Sequence, residues 1–231
     1  FDMRLIDMFK EMDKKKLTLK MQIRQEYYRV KELLDGKRPS RMDLFTYMDD
    51  DIYRICVSGS HAKENPFQHY LDFLYELGEL SEDEQKLYAG IGREFIQTIE
   101  TTEMQKVYKM PILYSFYNHG NIRLAVTDEE VLESWKEFFD TGTNWKDFPN
   151  VNTYEDYKKV TDKQHLSKAK RMPIRYLKAS GKGFFVEKDG YALALRDEIG
   201  EVVGNMAFGE QMGDVLGYRS LEYYRRRYEK E

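Results

Sequence analysis

Residues 184–195, FFVEKDGYALAL, read as two alternating strands rich in apolar and β-forming residues around Asp189-Gly190. Asp-Gly between two alternating runs is a strong hairpin signal, because glycine takes the positive φ that a tight turn demands. Most of the remaining chain reads as helix, so this hairpin constrains the fold sharply. Two strands alone are marginal in water, so the hairpin needs a further strand and a helical cover. Residues 121–126, NIRLAV, alternate in the same way and provide a short strand.

Helix signals surround these strands. Proline suits a first helical turn, so a helix is expected from Pro111 to Asn118, stopped by Gly120. Thr127 and Glu130 form a capping box that opens a helix with Val131, Leu132, Trp135, Phe138 and Phe139 on its apolar face. Helical spacing continues from Thr153 to about Arg171, in one or two pieces. Met172-Pro173 is expected to break it, with a short helix over 173–179. The similar stretches KMPILY (109–114) and RMPIRY (171–176) thus both read as helix starts, the first opening a buried helix and the second lying among basic residues. From Met110 the order is helix, strand, helix, helix, hairpin, which is the order of a winged helix-turn-helix domain. In such a domain the helix before the hairpin enters the major groove and the hairpin tip is the wing.

The first part of the chain is expected to be all helical. Leu5, Ile6, Met8, Phe9 and Met12 follow helical spacing, as do Ile23, Tyr27, Val30 and Leu34 ahead of Gly36. Further helices are expected over 42–53 and 67–77, and a long one from a Ser81/Glu84 capping box toward Ile99. The fold class is therefore mainly α, an N-terminal helical bundle followed by a winged helix-turn-helix-like α+β domain. The expected divisions are a bundle or connector over 1–103, the winged-helix-like domain over 104–197 and a C-terminal helical segment over 198–231. In that last segment Leu221, Tyr224 and Tyr228 are expected to pack on the core with the arginines in water; the alternative is that the aromatics stack on single-stranded bases.

Charge is unevenly spread. The chain has a formal net charge of −4 over 231 residues. Residues 42–103 hold fourteen acids against four basic residues, whereas residues 158–182 hold nine basic residues against one acid. This basic block covers the helix before the hairpin. The residues expected to meet nucleic acid are Lys163, Lys168, Lys170, Arg171, Arg175, Lys178 and Lys182, with Lys188 on the hairpin. Clustered cations of this kind supply most non-specific affinity for a duplex. The competing reading is a solvated lysine-rich face or a protein-interaction module, and the acidic stretch over 42–103 argues on that side.

Signals for catalysis are absent. No phosphate-binding glycine loop of either common pattern occurs. The SGKG stretch within 179–185 lies between a helix and a hairpin and reads as the turn into the wing. Asp49, Asp50 and Asp51 are adjacent and point in different directions on a helix, so they read as a cap or an exposed turn rather than a magnesium site. The lone Cys56 has no histidine partner by sequence, and Ser58 and Ser60 near His61 form no hydrolase signature. No catalytic residue, metal or cofactor is expected. With one cysteine, no long apolar run and no leader pattern, the chain reads as cytoplasmic. Its first residue is Phe1 rather than Met, which suggests a piece of something longer.

Residues 99–142 resemble a segment found downstream of the motor domains in bacterial superfamily 2 helicases of the DEAD/DEAH type, through the Lys106-Val-Tyr-Lys-Met110 stretch, the acidic helix and Phe138-Phe139 before Gly142. Residues 166–195, the ending with Tyr218-Arg219, Tyr223-Tyr224 and Arg227, and residues 38–53 are similar to the same region. The resemblance implies that the parent is an ATP-dependent translocase of a kind associated with phage defence. This chain would be its accessory region, without ATPase activity, joined to a helicase motor upstream in the same chain. Its partners would be DNA and, on the alternative, a nuclease or regulator.

Overall fold

The computed structural model describes residues 17–228. The apolar positions Leu5 to Met12 lie outside the described residues. The protein is mainly helical with one small three-stranded sheet. Its contacts divide it into two compact units, residues 1–79 and 80–231.

In the first unit, α1 (Leu19–Leu33) is capped by Thr18 and buries Ile23, Tyr27 and Val30. The helix expected over 42–53 is two helices, α2 (Arg41–Tyr47) and α3 (Asp50–Val57). The break comes from Asp49, whose carboxylate accepts hydrogen bonds from the Asp51 and Ile52 amides and so starts a new helix. The acidic triplet is thereby a cap followed by a first turn whose carboxylates complement the helix dipole. Among the described residues no group of three metal-ligating side chains converges. Cys56 is fully buried in α3, and burial pushes its thiol up to about 12, far from a reactive thiolate. Helix α4 (Tyr70–Leu77) ends on Gly78 at φ +71. The Arg41 guanidinium is fully buried and lies 4.5 Å over the Tyr70 ring.

The second unit opens with the Ser81/Glu84 capping box of α5 (Glu82–Ala89). Gly90 is extended and separates α5 from α6 (Ile91–Thr101), so the expected long helix is two. Then follow α7 (Lys109–Tyr117), β1 (Ala125–Val126) and α8 (Asp128–Asp140). Next come α9 (Tyr154–Lys158), α10 (Asp162–Ala169), a π-helical turn (Lys170–Ile174) and α11 (Arg175–Ser180). The strands β2 (Phe185–Val186) and β3 (Leu193–Leu195) lead to the long helix α12 (Met206–Tyr228).

The sheet order is β1-β3-β2, antiparallel throughout, with Ala125 opposite Ala194 and Phe185 opposite Leu195. The strands are shorter than the alternation suggests. Asp189-Gly190 does turn, with Tyr191 N–H donating to the Lys188 carbonyl and Gly190 at φ +82, but residues 187–191 have left the ladder, which resumes where the Ala192 N–H donates to the Val126 carbonyl. The Thr127/Glu130 capping box forms as expected, and Val131, Trp135, Phe138 and Phe139 are buried on α8.

The two prolines behave differently from the expectation. Helix α7 begins at Lys109, so Pro111 sits inside the first turn, where its missing amide hydrogen costs nothing. Pro173 does not break the chain of helices. It lies within the π-turn, whose wider hydrogen-bond spacing accommodates a residue that cannot donate, and α-helix resumes at Arg175.

The expected division after residue 103 is not where the contacts part. The Phe95 ring on α6 packs against Phe184 at 5.4 Å, Phe185 at 6.1 Å and Phe208 at 5.7 Å, which joins α6 to the sheet and to α12. Helix α5 joins the same unit. Its buried Glu84 accepts a 2.7 Å hydrogen bond from the Gln211 amide on α12. Residues 198–231 are likewise no separate segment, because α12 buries Phe208, Met212, Val215 and Leu216 in this core.

The packing face of α12 also differs from the expectation. Leu221 and Tyr228 are exposed, and Tyr218 and Tyr223 are buried in their place. Two arginines are half-buried rather than left in water: the Arg219 guanidinium donates to the Thr102 carbonyl, and Arg227 pairs with the buried Asp147. Among the described residues no helix is long and apolar enough to cross a membrane.

Both tryptophans, Trp135 and Trp145, lie in the second unit, so their fluorescence reports it alone. Phe95→Ala is expected to destabilise that unit by about 3–5 kcal/mol in urea denaturation, the range for a fully buried phenylalanine. Leu221→Ala, on an exposed position, is expected to change it by less than about 0.5 kcal/mol.

Candidate nucleic-acid interface

Three elements carry six of the eight basic positions: α10, the π-turn and α11. Thr161 starts α10 through a capping box with Gln164. His165 and Ala169 fix its buried face, with the imidazole 4.9 Å from the Phe148 ring and 5.6 Å from Tyr157. Pro173, Ile174 and Leu177 continue that buried face through the π-turn and α11. Burying these five residues leaves Lys163, Lys170, Arg171, Arg175 and Lys178 pointing to solvent. Gly181 then closes the helix where no side chain fits, since an added Cβ would lie 2.3 Å from the Phe185 ring. Lys182 and Gly183 follow with φ of +49 and +77 and turn the chain into β2.

Six of the eight basic residues lie on these contiguous elements, Lys182 on the turn that follows and Lys188 on the hairpin, and they are not equally available. Lys170 holds Asp128 of α8 at 2.8 Å. Lys178 is paired with Glu187 of the hairpin, and that ammonium holds the Glu187 carboxyl below the usual carboxylate range. Lys168 is half-buried with its Nζ 5.3 Å from the centre of the Tyr108 ring, and Lys188 sits 5.6 Å from the Tyr191 ring. Lys163, Arg171, Arg175 and Lys182 are exposed and make no ion pair among the described residues. Asp162, the lone acid in the basic block, faces away toward α8, where Lys136 holds it at 2.8 Å.

Two features of this surface escape the sequence reading. One is the pair of acids, Asp128 and Glu187, that occupy Lys170 and Lys178. Asp128 belongs to the acidic first turn of a capping-box helix, and Glu187 alternates outward on the hairpin, so both were visible as exposed acids though not as partners. The other is apolar: Met172 and Tyr176 are 38% and 51% exposed between and beside Arg171 and Arg175. The basic density of the stretch hides them.

Matched against protein-family models, curated proteins and solved structures, the chain finds no counterpart in any of the three.

His165 gives the face a pH dependence. Burial, reinforced by the Lys136 ammonium and opposed by Asp140 and Asp162, holds the imidazole below its ordinary pKa. The folded state therefore resists protonating it relative to the unfolded chain, which takes up a proton near pH 6.5. The stability that depends on neutral His165 is present above about pH 6.5 and declines as pH falls below it. The urea midpoint read by tryptophan fluorescence is expected to drop between pH 7.5 and 5.5, and His165→Phe to flatten that drop. An equally steep drop in the variant would assign the dependence to other groups.

Proposed function

We propose that this chain is a non-catalytic DNA-binding module of the winged-helix type, with α11 and the π-turn as the recognition element and the β2–β3 hairpin as the wing. The observation that carries the reading is topological. The basic helix leads directly into a hairpin whose second strand pairs with a strand lying between α7 and α8, in the order β1-β3-β2. The exposed cations Lys163, Arg171, Arg175 and Lys182 supply phosphate contacts, and Arg171 and Arg175 are one helical turn apart, on the side that would face a groove. Duplex or forked DNA is the substrate class, because a short basic helix with a flanking hairpin matches the width of a major groove. The resemblance of residues 99–142 and 166–195 to helicase accessory regions supports reading the module as a companion to an ATP-dependent motor, engaging the DNA on which the motor would work.

A second reading has its own observation. Met, Tyr and Arg together are the composition enriched in protein interfaces, and Met172, Tyr176, Arg171 and Arg175 share this surface. On that reading the face recruits a nuclease or regulatory protein.

Fluorescence anisotropy with a labelled duplex separates the two. Four phosphate contacts predict a slope of log affinity against log salt of about −3 to −4. The triple reversal Arg171→Glu, Arg175→Glu and Lys182→Glu is expected to weaken binding at least tenfold. Lys170→Glu is expected to weaken it less, since that charge is committed to Asp128. If the triple variant binds DNA as well as the parent, the surface is wrong. No DNA binding at moderate salt, with a protein captured from nuclease-treated lysate and lost in Tyr176→Ala, would favour the second reading.

A further inference from the structure

A cavity of about 450 Å³ lies within the second unit, between the end of α6, the loop over 102–108, the start of α7 and the inner side of the π-turn and α11. Its volume falls in the range of small-molecule sites. At its wall stands Lys109, only 8% exposed. The Lys109 ammonium donates to three neutral oxygens: the Glu103 carbonyl at 2.8 Å, Thr102 Oγ1 at 3.0 Å and Ser180 Oγ at 3.4 Å. No carboxylate pairs with it among the described residues. A buried cation served only by neutral acceptors is costly, and burial accordingly lowers its pKa, with Arg219 adding to the lowering and Glu103 opposing it.

The remaining lining says what would relieve this cost. Lys106 and Lys182 stand exposed at the rim, so three ammonium groups meet one acidic side chain, Glu103. The walls between them are Tyr108 and Tyr176 with Met104, Met172 and Pro173. Flat rings and thioethers suit an aromatic body, and the lysines suit an acid group. The weakest of the three Lys109 contacts, to Ser180, is the one an incoming oxygen would replace. Ser180 keeps its own bond, since its hydroxyl already donates to the Tyr176 carbonyl at 2.8 Å.

We infer that this cavity is a binding site for a small aromatic carboxylate, its ring between Tyr108 and Tyr176 and its carboxylate on Lys109. The inference does not depend on the DNA-binding reading. Three aromatic carboxylates of increasing size, benzoate, indole-3-acetate and naphthalene-1-acetate, are titrated into the intact chain by calorimetry, beside the neutral indole-3-acetamide. Methyl-labelled methionine resonances locate the binding. At least one carboxylate is expected to bind with one site per chain and to shift the Met104 and Met172 methyls above the others. The acetamide is expected to bind at least tenfold more weakly than indole-3-acetate. Lys109→Met should abolish that preference for the acid. Because Lys109 is buried, Lys106→Glu provides a second variant on an exposed position, expected to weaken the carboxylate severalfold with an unchanged denaturation curve. No binding by any of the three acids, equal binding of acid and amide, or unaltered binding by Lys106→Glu would overturn the assignment.

Discussion

The second unit depends on one ring. Phe95 is the point where α6, the strand edge at Phe184-Phe185 and α12 at Phe208 meet, and of these elements the strands have the least else to hold them. The strands are two or three residues long, so ladder hydrogen bonds alone do not hold them. Edge-to-face and tilted contacts fix the rings relative to one another as well as burying them. Phe116 extends the cluster to α7 by packing on Phe185 at 6.0 Å. The hairpin, and with it the position of α11, is thus set from beneath by aromatic packing.

Features fixed by near neighbours in sequence were legible. The boxes at Ser81/Glu84 and Thr127/Glu130 form because both partners lie within one turn. The apolar face of α8 and the order of elements from α7 to β3 follow from periodicity for the same reason. Boundaries were misread where a residue had two competing uses. The helix expected over 42–53 runs through Asp49 although the acidic triplet itself reads as a cap or an exposed turn, because local spacing does not say that the cap divides two helices. Pro173 reads as a break because the rule assumes α-helical spacing, and a π-turn relaxes it. The first domain boundary was misplaced because Phe95 looks like any helical core residue until its partners, some ninety and more residues later, are known.

The basic surface shows the same limit in electrostatic form. Composition located all eight cations. It did not show which were already spent, since Asp128 lies 42 residues from Lys170 and only the fold brings them together. Arg219 and Arg227 reverse the lesson: arginines assigned to water on grounds of charge are anchors of α12, reaching the Thr102 carbonyl and Asp147. An arginine can serve such a place because its long stem packs while its fork donates.

Lys182 carries a consequence of its own. With φ at +49 it adopts a conformation that glycine or asparagine enters more cheaply, by roughly 1 kcal/mol or more for an ordinary side chain. The lysine is a departure from the conformational optimum at the bend between helix and hairpin, and its side chain stands both at the end of the basic stripe and at the rim of the cavity. Lys182 thus joins a conformational cost to a place common to the basic stripe and the cavity rim.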